Sequence, residues 1–194
     1  MFVTMFVASA VAAPAFAHTG AGAGHELVHS LTRGFLHPLS GLDHVLAMVA
    51  VGLYAAHLGG RALWLLPAAF AGTMAAGGLL GWAGVPLPMV EAGIGLSIIA
   101  MWLLIALGVR LPTVAAVALV GVFALVHGHT HGSEGAGFAA FLPYALGFAT
   151  ATVLLHAAGI AAGLALDRLG MLPAALRRAA GAAGALAGLA ILAG

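Results

Sequence analysis

The sequence contains no cysteine and no lysine, and only 6% of its 194 residues are charged. Without cysteine, the chain can form neither a disulfide nor a thiolate metal site. Without lysine, it cannot contain the phosphate-binding motif G-x-x-x-x-G-K-[ST], so it has no P-loop of its own. The six arginines are scattered and the formal net charge is +1, so nothing in the sequence indicates a nucleic-acid partner.

Hydrophobic residues make up 63% of the chain, and the mean hydropathy is +1.17. Because soluble proteins carry charge on about a quarter of their residues, this chain is predicted to lie in a lipid bilayer. Its length allows about six spans of about 20 residues each, with no room for a separate soluble domain. We therefore predict an all-α integral membrane protein, a bundle of about six transmembrane helices.

The amino-terminal segment is typical of a secretory signal, although it lacks the usual basic start. Residues 1–17 are apolar, are interrupted by Pro14 and end in an A-x-A pattern at Ala15 to Ala17. We predict cleavage after Ala17, against the alternative of a retained first helix. Residues 18–40 then form an external histidine-rich leader, and residues 41–194 form the transmembrane domain.

Apolar stretches alternate with short polar or Pro/Gly breaks through the rest of the chain. The predicted spans are Gly41–His57, Ala62–Trp82, Pro88–Gly108, Pro112–His127, Phe138–Leu166 and Ala174–Gly194.

The arginines predict the orientation. Five of them follow the first, third and fifth spans, and only Arg33 lies on the other side; the five are Arg61, Arg110, Arg168, Arg177 and Arg178. The positive-inside rule then places these connections in the cytoplasm and the mature amino terminus outside a bacterial cytoplasmic (inner) membrane. A cleaved secretory signal requires the same orientation.

The stretch HPLSGLDH contains His37, Asp43 and His44 at the start of the first span. Pro38 and Gly41 disfavour a continuous helix, so we expect a turn that folds His37 back towards Asp43 and His44. Imidazole and carboxylate groups gathered in this way hold divalent cations. The alternative is a helix cap with hydrogen-bonded histidines, in which Asp43 stabilises the helix start.

The stretch FALVHGHTHGSEG concentrates further histidines at the end of the fourth span. His127, His131 and Glu134 are four and three residues apart, so they share one face if the helix continues. His129 would then point about 160° away from His127. The glycines between these residues are expected to loosen the helix end and to free backbone carbonyls as oxygen donors. The alternative is a polar loop at the membrane surface.

In the predicted topology, these groups and Glu91, near the start of the third span, all lie at the outer face. The candidate metal ligands are therefore His37, Asp43, His44, Glu91, His127, His131 and Glu134. Ionisable groups at membrane depth cost at least about 2.5–3.5 kcal/mol each, which favours a functional role. For Glu91, the alternative is a favourable charge at a helix amino end.

Other histidines are weaker candidates as metal ligands. His18, His25 and His29 in the leader can collect incoming cations, or can be incidental residues of a solvated segment on an amphipathic helix. His129 adds an imidazole to the second motif. His156, alone in the fifth span, is either a buried histidine bonded to a neighbouring helix or a step on the ion path.

With its two motifs, its leader and about six spans, the sequence resembles the HupE/UreJ family of nickel permeases over essentially the whole mature chain. The family's first motif matches His37, Asp43 and His44, and its second, Phe-His-Gly…His-Gly-x-Glu, matches the segment from His127 to Glu134. Val126 stands where the family usually has phenylalanine. The resemblance implies inward transport of Ni²⁺ and no enzymatic activity.

From donor type alone, imidazole and carboxylate suit Ni²⁺, Co²⁺, Zn²⁺ or Fe²⁺, and the resemblance favours nickel as the transported ion rather than a permanent cofactor. The membrane potential is sufficient to drive a divalent cation inward, so we expect no ATPase subunit. The alternatives are an intramembrane metal-dependent hydrolase and a metal-binding sensor or storage protein. The oligomeric state is left open.

Overall fold

The computed structural model describes residues 21–133, 138–169 and 174–193, and these residues form seven α-helices. The helices are α1 (Ala21–Ser40), α2 (Leu42–Leu58), α3 (Ala62–Trp82), α4 (Val90–Leu107), α5 (Thr113–Ser133), α6 (Phe138–Arg168) and α7 (Ala174–Ala193). The predicted signal peptide, His18 and Glu134 lie outside the described residues.

Helices α3 to α7 are each long and apolar enough to cross a membrane. The first two helices pass the same test only as a pair, which is bent by 77° at Gly41. The chain is therefore a multi-pass membrane protein whose described residues are all-helical in architecture and contain five candidate spans, or six if the bent pair counts as one. The prediction of an all-α membrane protein is confirmed, and a count of six depends on the bent pair.

The fourth predicted span is longer than expected. Its helix, α5, continues for six residues beyond His127 to Ser133, so Gly128 and Gly132 lie within the helix and do not loosen its end. Both glycines instead contact the neighbouring helix α3. A Cβ atom at Gly128 would collide with the backbone carbonyl of Met74, and one at Gly132 with that of Gly78. Small residues that allow such close backbone approach are typical of helix packing in lipid.

The predicted leader contributes a packed helix. The first helix lies against α6, with its Gly34 against the Tyr144 backbone and with Gly147 of α6 against the Leu31 backbone. This helix runs through Pro38 and ends at Ser40, so the break falls at Gly41. The expected fold-back of His37 is confirmed, because its ring lies 5.1 Å from the His44 ring.

The two ends of the bundle differ in chemistry. The end where α2 begins and α5 ends carries His37, His44 and His131, and we name it the histidine end. At the opposite end, Arg110 Nη2 donates a hydrogen bond to the Leu58 carbonyl oxygen (3.1 Å). We name this second end the arginine end.

Because a methyl group at position 128 would meet backbone atoms that cannot rotate away, Gly128→Ala is expected to destabilise the contact between α3 and α5 by about 1–3 kcal/mol. Gly72→Ala is the matched control, since Gly72 lies in α3 with no atom near its added Cβ. Thermal unfolding of detergent-purified protein should give a lower midpoint for Gly128→Ala alone. Equal midpoints for the two variants would contradict this packing.

Candidate metal site

Gly41 gives the second helix its start and leaves room for the first polar pair. Its backbone is extended, with φ −91° and ψ 120°. A Cβ atom at this position would collide with both His44 Nδ1 and Asp43 Oδ1. Any residue can adopt this backbone conformation, so glycine is needed here for the space in which the Asp43 and His44 side chains meet.

The Asp43 carboxylate fixes the orientation of the His44 ring. His44 Nδ1 donates to Asp43 Oδ1 at 2.8 Å, and His44 is buried. With hydrogen on Nδ1, the neutral ring presents a lone pair at Nε2. That Nε2 lies 2.7 Å from Nε2 of His131, so in this arrangement the His131 Nε2–H donates to His44. The carboxylate–imidazole pair is the arrangement that orients histidine ligands in metal sites.

His37 completes a group of three imidazoles from three helices, α1, α2 and α5. One ring nitrogen each from His37, His44 and His131 lies within 4.8 Å of the others. The His37 ring is 4.8 Å from the His131 ring, measured between centroids. We name these three residues the histidine cluster. Among the described histidines and acidic residues, they are the group close enough to hold one ion.

The Phe148 ring of α6 packs against the histidine cluster. Its centroid lies 5.8, 5.7 and 4.8 Å from those of His37, His44 and His131, respectively. The Phe148 side chain is itself buried, at 3% exposure. It therefore keeps water from one side of the cluster and restricts the three rings to a narrow range of orientations.

The cluster needs only a small adjustment to hold a cation. Two nitrogens that bind one metal at about 2.0–2.1 Å stand roughly 3 Å apart, and His44 and His131 already stand at 2.7 Å. A cation entering between them displaces the shared proton. The His131 tautomer with hydrogen on Nδ1 then leaves both Nε2 lone pairs facing the ion.

His127 lies one turn before His131 and is fully buried. Its ring is 6.2 Å from the His44 ring. The Ser97 hydroxyl donates to the Ile94 carbonyl, so it accepts from His127 Nε2–H at 2.9 Å. The neutral His127 ring consequently has its lone pair on Nδ1, which is buried and has no hydrogen-bond partner among the described residues.

The structure places five more of the candidate ligands outside the cluster. Glu91 is exposed in the first turn of α4. His129 points away from the cluster, as its angular position predicts, and donates through Nε2 to the Val85 carbonyl oxygen (2.6 Å). In α1, His25 and His29 are exposed. His156 is buried without the predicted bond to a neighbouring helix within the described part of the chain.

Sequence reasoning missed Ser97 and Phe148, which contact the site from α4 and α6. Both occur within ordinary apolar spans, where one serine or phenylalanine gives no signal. The sequence did predict the three histidines, because each is a costly residue inside an apolar chain.

Comparison with known proteins gives two matches that extend over nearly the whole chain. Residues 5–191 match the family model described as HupE / UreJ protein. The chain is also 47% identical over 191 residues to Protein HupE of Rhizobium leguminosarum bv. viciae, a match that covers 98% of this chain and 96% of that protein. No solved structure matches the chain.

His131→Ala is expected to weaken Ni²⁺ binding by more than a hundredfold, because it removes one of three clustered nitrogens. His129→Ala is the matched control, since it deletes an imidazole two residues away that faces the α3–α4 connection. Equilibrium dialysis of purified protein with Ni²⁺ measures both affinities. Equal losses in the two variants would show that the cluster is not the binding site.

Asp43→Asn should weaken Ni²⁺ binding by about 10–100-fold, the usual effect of removing a carboxylate that orients a histidine ligand. An amide keeps the size of the side chain but orients the His44 ring less strongly. The same dialysis on Asp43→Asn and Asp43→Glu checks this, and the glutamate variant should retain part of the affinity. Unchanged affinity in Asp43→Asn would contradict the orienting role.

Proposed function

Because the chain belongs to the HupE/UreJ family, whose members are generally nickel or cobalt transporters, we propose that it is a permease that carries Ni²⁺ across the membrane. The observation that carries the proposal is the histidine cluster, three imidazoles from three helices of an apolar bundle. Burying polar groups inside an apolar membrane bundle costs free energy, and binding of a transported cation offsets that cost.

The donor set defines the class of ion. Imidazole nitrogens bind Ni²⁺, Co²⁺, Zn²⁺ and Fe²⁺, whereas hard ions such as Mg²⁺ prefer oxygen. The chain contains no cysteine, which disfavours a soft Cu(I) site. We assign Ni²⁺ as the cargo, with Co²⁺ and Zn²⁺ as competitors, and no permanent cofactor.

Each histidine along the first helix has a place in this function. His25, His29 and His37 are spaced by four and eight residues, so they lie within about 120° of one side of α1. The two exposed histidines capture ions and pass them along the helix to His37. Glu91 and Glu134 act as carboxylate ligands on the entry side, and His127 receives the ion after the cluster.

The arginines support the direction of transport. Five of the six arginines lie in the connections and helix ends at the arginine end. By the positive-inside rule this distribution supports a cytoplasmic arginine end and a mature amino terminus outside a bacterial inner membrane. The histidine end then faces the outside and receives the ion.

The membrane potential supplies enough energy for accumulation. A divalent cation moving inward gains about 4.6 kcal/mol per 100 mV, from about 2.3 kcal/mol per elementary charge. At about 1.4 kcal/mol per tenfold ratio, this gain supports more than a thousandfold accumulation. Transport therefore needs neither a P-loop nor an ATPase partner.

Two other functions use similar residues. An intramembrane hydrolase would use the ion to activate water and would turn over a lipid or peptide. A sensor or storage protein would bind the ion without moving it. Membership in a transporter family counts against both functions.

Purified protein in proteoliposomes should accumulate Ni²⁺ when an inside-negative potential is imposed, with no nucleotide present. Uptake should rise with the size of the potential and should be lost in His131→Ala at equal protein density. Entrapped metal, measured by a fluorescent indicator, reports the result. Tight binding without uptake would favour a sensor, and a requirement for ATP would refute a permease driven by the potential alone.

A further inference from the structure

His156, in the middle of α6, has a buried imidazole ring. Its side chain is 1% exposed, and neither ring nitrogen has a hydrogen-bond partner among the described residues. Buried polar side chains in proteins are nearly always hydrogen-bonded, and the penalty for an exception is larger in a membrane. A leucine or phenylalanine would fill the same space at lower cost. The imidazole therefore points to a ligand that is present only part of the time.

A continuous series of rings connects His156 to the histidine cluster. The His44 ring lies 6.2 Å from the His127 ring, which lies 6.0 Å from the ring of Phe70. The opposite neighbour of Phe70 is His156, in edge contact at 4.9 Å. Phe70 is fully buried near the middle of α3. Phe70 therefore separates His127 from His156, and each of these two imidazoles has at least one nitrogen with no hydrogen-bond partner in the described part of the chain.

Beyond His156, towards the arginine end of the bundle, there is a cavity. The cavity has a volume of about 380 Å³ and is lined by Ala56, His57, Gly163 and Asp167, among others. Gly163 follows His156 by seven residues, so the cavity begins about 10 Å further along α6. The position of His156 is therefore between the histidine cluster and the opposite end of the bundle.

We propose that His156 is a second metal position inside the bundle, which the ion occupies after it leaves the histidine cluster, and that the Phe70 ring closes the passage between the two. This inference rests on the proposed function as a metal permease. Thr152 lies one turn earlier on the same face of α6 and is fully buried. Its hydroxyl donates to the Phe148 carbonyl oxygen (2.9 Å), and its oxygen lone pairs are available to an ion bound at His156.

The chemistry of this position suits release. A single imidazole and a hydroxyl hold a divalent cation more weakly than three imidazoles do. Conduction requires sites that favour entry but let the ion leave again. The cavity beyond is lined by Arg110 and Arg177 as well as Asp167, so its positive side chains outnumber its carboxylate and disfavour retention of a cation.

The first test is metal flux with parallel binding measurements. In proteoliposomes, His156→Ala should reduce Ni²⁺ uptake at least tenfold, while dialysis shows an affinity at the histidine cluster within twofold of the unmodified protein. Leu154→Ala is the matched control, since Leu154 lies two residues away on the exposed face of α6. Phe70→Ala should raise the uptake rate and let Mg²⁺ leak through.

A spectroscopic test distinguishes a ligand from a purely structural residue. The natural chain has no cysteine, so His156→Cys introduces its single thiol. In that variant, bound Co²⁺ should show a thiolate-to-cobalt charge-transfer absorption, and Leu154→Cys should show none. If His156→Ala does not fold, His156→Cys still tests the proposal, because the cysteine side chain fills more of the space left by the imidazole.

The outcomes separate the two proposals. Absence of uptake by the unmodified protein refutes the permease, whatever the variants do. Normal uptake by His156→Ala, or no charge-transfer band in His156→Cys loaded with Co²⁺, refutes the second metal position while the permease stands. An unchanged rate and no Mg²⁺ leak in Phe70→Ala refute its role as a barrier.

Discussion

Direct backbone contact between helices at glycine positions holds the histidine cluster together. Lipid acyl chains are as apolar as the side chains, so moving apolar side chains from lipid into a helix contact gains no hydrophobic free energy. Close packing therefore drives helix association in the membrane. The helix that carries His131 touches its neighbour at Gly128 and Gly132, and the helix that carries His37 touches α6 at Gly34. Because these contacts involve backbone atoms, they position the two histidines more firmly than flexible side chains would.

The site combines this rigid support with one local device, the Asp43–His44 pair. Asp43 determines which nitrogen of His44 carries hydrogen, and Gly41 provides the space for that bond. Neutral imidazoles suit the apolar surroundings, since they bind a cation without adding charge of their own when the ion is absent. The cluster, the buried His127 and the apolar ring of Phe70 then form successive steps into the bundle.

Much of the fold follows from composition, and α3 has the predicted bounds, Ala62–Trp82. The end of α5 was misjudged because the sequence does not distinguish a glycine that loosens a helix from one that contacts a neighbour. The sequence does not predict the packing of α1 on α6 for the same reason, because this contact also depends on glycines, Gly34 and Gly147. His37, His44 and His131 were predicted from their cost in lipid, whereas Glu91 is exposed outside the cluster. Ser97 and Phe148 depend on which helices are neighbours, and hydrophobic patterns do not show this.

X-ray absorption at the nickel edge of the purified, Ni²⁺-loaded protein tests the central claim most directly. The account predicts imidazole scattering from about three nitrogen ligands at roughly 2.0–2.1 Å, contributed by His37, His44 and His131. Replacing any one of these histidines with alanine should reduce that scattering. A spectrum dominated by oxygen ligands, or one unchanged when His44 and His131 are both replaced, would contradict it.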